Sequence, residues 1–328
     1  MRALVFDGDL RLGEIPILPV PAGEVRIKTS LGGVCNTDLE ICKGYMGFKG
    51  VLGHEFVGTV VECASDLPKN VCERWLGKRV VGEINCGCGS CALCLGGDTR
   101  HCRQRTTLGI DRRQGIFAEY FNLPVANLFE VPASISDEQA VFAEPLAAAW
   151  NVVEMAHVVP NSRVLVLGDG KLGQLCAQVL RLVGCDLTVV GKHWDKLDAL
   201  QKLGIATRSL AEWENSLDAS MCYDAVVEAS GTASGFNQAV GAVRPRGIIV
   251  LKSTVADGSP MNLSPLVINE ITMVGSRCGR FGPALRSLEA GLIKVDYLIS
   301  AIYDLANAVE AVQAARRSSL KVLVKCGS

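Results

Sequence analysis

The chain has 328 residues, about half of them apolar and a fifth charged, and a net charge of −1. This composition supplies a large core and excludes a disordered chain. A near-neutral balance without long single-sign runs excludes nucleic acid and anionic membrane as main partners. At about 100–200 residues per domain, the length predicts two domains.

The fourteen cysteines are many. The chain opens on a strand-like Met-Arg-Ala-Leu-Val-Phe, with no signal-type segment and no membrane-length apolar run. Clustered cysteines in such a chain read as metal ligands in a cytosolic protein, not as disulfides. Residues 1–135 predict short strands separated by Gly, Pro and Asp turns, as in Glu24-Val-Arg-Ile-Lys, Phe56–Val61 and Arg79–Ile84. The reading is a small β-barrel-like domain, with one or two helical turns after Thr37. Between two of these strands, Val34–Glu55 gathers Cys35, Thr37, Asp38, His54 and Glu55. Thiol and imidazole suit a borderline-soft cation such as Zn²⁺, and a hydroxyl can pass a proton.

Further on, Cys88, Cys91, Cys94 and Cys102 have the spacing C-x2-C-x2-C-x7-C among turn-forming glycines. Four thiolates match the closed tetrahedron of a structural Zn²⁺, which leaves no position for substrate. Cys86 and His101 are read as bystanders. From Ser136, an N-cap followed by acids starts a helical stretch through Met155, which Pro145 should break or divide.

Val164–Leu167 then reads as a strand buried on both faces, followed by a helix from Lys171 that Gly184 can close. Cys185–Val190, Tyr223–Glu228, Gly247–Lys252 and Ile271–Gly275 continue the alternation expected of a doubly wound parallel sheet. Between the first of these strands and its helix lies Gly168-Asp169-Gly170-Lys171-Leu172-Gly173, a G-x-G-x-x-G turn in the context that binds a dinucleotide pyrophosphate. The second strand ends in Gly191, Lys192 and His193, where an acid would read a ribose 2′-hydroxyl. Cations without that acid favour a 2′-phosphate, so NADP(H) is preferred and NAD(H) is the alternative.

In this order, the C-x-T-D segment at Cys35–Asp38, Gly53-His-Glu55, the cysteine lobe, Gly115-Ile-Phe-Ala-Glu-Tyr120 and the glycine turn resemble the zinc-containing medium-chain alcohol dehydrogenase/reductase superfamily over nearly the whole chain. The resemblance implies an α/β protein. A GroES-like β-barrel catalytic domain of residues 1–144, completed by residues 279–328, would accompany a Rossmann doubly wound parallel-sheet domain of residues 145–278. It implies hydride transfer between a nicotinamide cofactor and a small alcohol or carbonyl substrate, one catalytic and one structural zinc, and a homodimer or homotetramer.

Phe142-Ala-Glu144-Pro resembles the branch containing polyol, glucose and threonine dehydrogenases, which makes Glu144 the third ligand beside Cys35 and His54. By the same resemblance Glu55 is either a ligand or an outer partner of the metal. Thr37 relays the alcohol proton and Asp38 orients His54. Ser276 and Arg277, within Gly275–Cys278, lie where the backbone meets the nicotinamide. Lys321 faces the cofactor phosphates or is a surface lysine. Tyr45, Met46, Phe48 and Trp150 are either pocket-lining or core. Two other functions stand against this one: a zinc-independent enone or quinone reductase of the same superfamily, and a non-enzymatic binding protein.

Overall fold

The computed structural model describes residues 1–254, 261–317 and 320–327. Contacts divide the chain into two units, Met1–Glu144 with Ala284–Ser328, and Pro145–Pro283. The second crossing thus follows Pro283, where the sequence reading set it after Cys278. Among the described residues, no helix is long and apolar enough to cross a membrane.

The first unit is built on the strand Glu24–Gly33, which buries Val25, Ile27 and Leu31 and leaves Arg26 and Lys28 partly exposed. This is the alternation of a half-buried antiparallel strand. Its described residues form a sheet ordered Leu128–Glu130, Arg79–Gly82, Glu55–Cys63, Glu24–Gly33, Lys321–Lys325, Ile299–Asp304, and Tyr120–Pro124 also pairs with Glu24–Gly33. Phe56 and Phe121 meet edge to face on it, 4.7 Å between ring centres. The register sets Glu55 opposite Gly33 on one side and Leu323 opposite Gly33 on the other. A side chain at Gly33 would come within 2.4 Å of the Glu55 carboxylate. The bare backbone there lets groups from the two flanking strands meet.

Two smaller three-stranded sheets complete this unit. Leu10–Glu14, Arg2–Phe6 and Gly50–Val51 form one, and Asn85–Cys86, Thr106–Leu108 and Arg112–Arg113 flank the cysteine lobe. Ser136 caps the helix Asp137–Ala140, its hydroxyl accepting the Gln139 N–H. A second helix, Ala143–Met155, follows. The stretch thus divides into two helices, as expected, but the break falls before Ala143, and Pro145 lies in the first turn of the second helix, where no backbone donor is required.

The second unit carries the sheet Ala206–Ser209, Asp186–Gly191, Arg163–Leu167, Tyr223–Glu228, Val243–Leu251, Thr272–Gly275, parallel throughout. Both central strands are apolar and buried, as crossover helices on both faces demand. Strand order reverses between Arg163–Leu167 and Tyr223–Glu228, the switch point at which such sheets bind ligands. The helix Lys171–Val183 leaves that point and ends at Gly184, which adopts the left-handed conformation (φ 81°). At its start Gly173 packs on the turn so closely that a Cβ would lie 2.0 Å from the Gly168 carbonyl oxygen. A backbone oxygen cannot rotate away, so Gly173→Ala should destabilise this unit by about 1–3 kcal/mol. A urea titration should show this as a lower unfolding midpoint.

Candidate metal centres and dinucleotide turn

Cys35, His54 and Glu55 each bring one ligand atom within 4.8 Å of the others. Cys35 is the N-cap of the short helix Asn36–Ile41, and His54 and Glu55 stand at the start of the strand Glu55–Cys63. The buried carboxylate of Asp38 joins these two segments. Its Oδ2 accepts the Cys35 N–H at 2.8 Å, and its Oδ1 accepts the Gly53 N–H at 3.2 Å. Oδ1 also lies 3.4 Å from His54 Nδ1, an electrostatic contact to that edge of the ring that does not reach hydrogen-bond geometry. The Thr37 hydroxyl lies 3.7 Å from Cys35 Sγ.

Glu55 is buried, and its Oε2 accepts from the Nζ of Lys321, itself fully buried. Lys321 also sits 5.5 Å from the centre of the Phe142 ring. This corrects the expectation that Lys321 faces cofactor phosphates: it points into the first unit and neutralises Glu55. The other oxygen, Oε1, is buried without a hydrogen-bond partner among the described residues. An orphaned carboxylate oxygen beside a thiol and an imidazole is the arrangement that a divalent cation completes.

Glu144, on the first turn of Ala143–Met155, is not among the three clustered donors but feels their charges. Burial pushes its carboxyl up to about 7, against the pull of His54, and the neighbouring Glu55 and Glu83 push the same way. His54 is raised well above its ordinary value. Burial opposes this rise, and the negative charges of Asp38 and Cys35 outweigh it.

In the lobe, the ligand atoms of Cys88, Cys91, Cys94 and Cys102 also lie within 4.8 Å of one another. Cys88 and Cys94 sulfurs are 4.0 Å apart, and those of Cys91 and Cys102 are 3.7 Å apart. A zinc–thiolate tetrahedron with bonds of about 2.3 Å has sulfur–sulfur edges of about 3.8 Å, so the four thiols fit zinc. Hydrogen bonds from the Ser90 backbone and hydroxyl, with that of the Cys91 backbone, bring the Cys88 thiol down to about 6, the ligating form. Cys86 is buried outside this group, its thiol pushed up to about 12 by burial. His101 is exposed.

In the second unit, Gly168 takes φ +121°, and its Cα hydrogens face the Ala229 carbonyl, which a Cβ would meet at 2.5 Å. Gly170 caps the helix Lys171–Val183 and has open space where a Cβ would stand. The first N–H groups of the helix, those of Lys171 and Leu172, follow directly, and such a helix start can receive a pyrophosphate.

The Asp169 side chain crosses to the neighbouring strand end, where its Oδ2 accepts the N–H groups of Lys192 and His193. The strand end at Gly191 therefore does have a carboxylate beside it, supplied from the turn. The sequence argument for NADP(H) rested on its absence and loses its premise. Ser276 is buried and its hydroxyl accepts from Asn151 Nδ2 at 3.0 Å and Lys252 Nζ at 3.2 Å. Lys252 also donates to the Arg277 and Ala148 carbonyls. This buried lysine fixes the segment expected to meet the nicotinamide, and its one sequence signal was a charge closing an apolar strand. Phe48 is buried and Met46 exposed.

A β-rich unit with a thiol–imidazole–carboxylate cluster and a four-cysteine lobe, followed by a parallel sheet with a glycine turn, defines a zinc-type dehydrogenase. Comparison with known proteins agrees. Residues 21–133 match the alcohol dehydrogenase GroES-like domain and residues 172–290 the zinc-binding dehydrogenase family. The chain is 31% identical to D-arabinitol dehydrogenase 1 of Uromyces fabae, covering 99% of this chain and 97% of that one. It is 28% identical to the sorbitol dehydrogenase of Halalkalibacterium halodurans, over 92% and 91% of the two chains. The NADH complex of the RspB alcohol dehydrogenase of Escherichia coli CFT073 superposes with a TM-score of 0.89 at 26% identity, covering 99% of both chains. The chain belongs to the zinc-type medium-chain alcohol dehydrogenase superfamily, and is an oxidoreductase that acts on alcohols with zinc and a nicotinamide cofactor.

Metal ligation by His54 and Glu144 would require both to give up their protons, so zinc uptake through them should release protons. Below pH of about 7, affinity should fall about tenfold per pH unit for each proton displaced. Competition with a chromophoric chelator across pH 6–8 measures this; a flat profile contradicts the assignment.

Proposed function

We propose that Cys35, His54 and Glu144 hold a catalytic zinc, with Glu55 as an alternating carboxylate, and that Cys88, Cys91, Cys94 and Cys102 hold a structural one. The observation that carries this reading is the buried, unpartnered Glu55 Oε1 within the Cys35–His54 cluster. The zinc supplies Lewis-acid polarisation of an alcohol oxygen, and the nicotinamide supplies a hydride acceptor. Thr37 takes the hydroxyl proton through Oγ1 and passes it on. Asp38 holds Cys35 and His54 in ligating orientation through its bonds to the two backbone segments. The Gly168–Gly173 turn binds the pyrophosphate, and Lys252 holds Ser276 and Arg277 in place beside the nicotinamide. The return reaction, carbonyl reduction, uses the same groups.

The relatives' names, D-arabinitol, sorbitol and L-threonine 3-dehydrogenase, support a small polar alcohol as substrate. A homodimer or homotetramer is supported by the exposed edge strand Thr272–Gly275, beside which Met261, Leu263, Val267 and Ile268 are also exposed. A cytosolic location is supported by the lobe's four unbridged thiols.

A screen of polyols, hydroxy acids and simple alcohols, following reduced cofactor by absorbance, tests the activity. Cys35→Ser should remove turnover while leaving dinucleotide affinity within about twofold, because the two functions lie on separate elements. Thr37→Val should lower kcat by about 10²–10⁴ with zinc retained, the usual scale of a lost proton relay. Elemental analysis should find two zinc ions per wild-type chain and one in Cys35→Ser. Full turnover by a zinc-free protein would favour the enone or quinone reductase reading.

A further inference from the structure

Asp169 is the first variable residue of the Gly168–Gly173 turn and is 7% exposed. Its Oδ2 accepts the N–H of Lys192 at 2.6 Å and that of His193 at 2.7 Å, and both carboxylate oxygens lie 3.1 Å from His193 Nδ1. Two successive N–H groups at a strand end form a concavity suited to an anion. In this chain the anion is already supplied. The match is close: a Cβ on Gly191 would come 2.4 Å from Asp169 Oδ2, so Gly191 is what gives the carboxylate room. This strand end is where a dinucleotide's adenosine ribose is read, and the two nicotinamide cofactors differ there by a neutral hydroxyl against a phosphate dianion.

We propose that Asp169 selects NAD(H) over NADP(H), supplying from the glycine turn the acid that the strand lacks at Gly191. This rests on the reading of the turn as a dinucleotide site. Three physical effects act in the same direction. The two N–H groups that would bind a 2′-phosphate are saturated by Oδ2. A dianion would lie against a carboxylate in a largely buried setting, where repulsion is weakly screened. Among the described residues Oδ1 meets the His193 imidazole edge, and it keeps accepting capacity for a ribose hydroxyl. Lys192, whose charge first suggested a phosphate, is exposed at the side-chain level while its backbone serves Asp169.

The test measures dissociation constants of the zinc-loaded protein for NADH and NADPH by titration calorimetry, in wild type, Asp169→Ala and Asp169→Asn. Wild type should bind NADH at least about tenfold more tightly, the scale of one weakly screened charge repulsion. Both variants should reduce that ratio about tenfold, and Asp169→Ala should gain NADPH affinity outright, since it frees two donors. Asp169→Asn keeps the shape and one acceptor, so it answers if the alanine variant folds poorly. A purely structural role would weaken both dinucleotides alike and leave the ratio unchanged in both variants, which overturns the proposal. A wild-type preference for NADPH also overturns it. Failure of wild type to bind either dinucleotide would instead remove the dinucleotide reading, and this proposal with it.

Discussion

The metal centre depends on a buried carboxylate. Asp38 has no solvent exposure, and an ion there costs several kcal/mol unless its lone pairs are taken. They are taken by backbone N–H groups of two separate segments, at Cys35 and Gly53, and its Oδ1 faces the His54 ring. The same bonds that solvate the charge therefore set the thiol and the imidazole within reach of one cation. Loss of Asp38 would free both segments at once, so geometry and electrostatics here cannot be altered separately.

The charges around Asp38 extend the argument. Asp38 and Glu55 are buried, Glu144 is partly so, and the buried Lys321 pairs with Glu55. Acid outnumbers base there, so the charges of Asp38 and Cys35 raise the proton affinity of His54 against burial, while burial raises that of Glu144. A divalent cation would offset the same excess of negative charge. The cysteine lobe reaches its own balance differently, near the surface, with Ser90 and backbone N–H groups stabilising thiolate at Cys88. One cluster is tuned by burial and the other by local hydrogen bonds.

Elements carried by local pattern were legible in the sequence: the buried strands at Val164–Leu167 and Tyr223–Glu228, the Gly184 stop, the Ser136 cap and the cysteine spacing. The division of the Ser136–Met155 stretch into two helices was legible from Pro145, although the break falls before Ala143 and the proline sits in the first turn of the second helix. Lys321 was misplaced. Its side-chain direction follows from strand register across Gly33, and no local pattern in the tail encodes that pairing. Asp169 shows the same limit. A missing acid at Gly191 looked like a change of charge, whereas the acid stands in space on another element, with the glycine as its complement. Motif logic compares positions along a chain; charge acts through distance.

The Glu55–Lys321 pair raises the question of whether a lysine so close would block a metal. The two carboxylate oxygens answer it by dividing the work. Oε2 is bound to Nζ, and Oε1, buried and unpartnered, remains for a cation. A carboxylate held at one oxygen by a fixed ammonium keeps its orientation and loses rotamer freedom before any metal arrives, so less ordering is required on binding. The pair therefore leaves one oriented oxygen, Glu55 Oε1, beside the Cys35 thiol and the His54 imidazole, because the lysine fixes the carboxylate without occupying that oxygen.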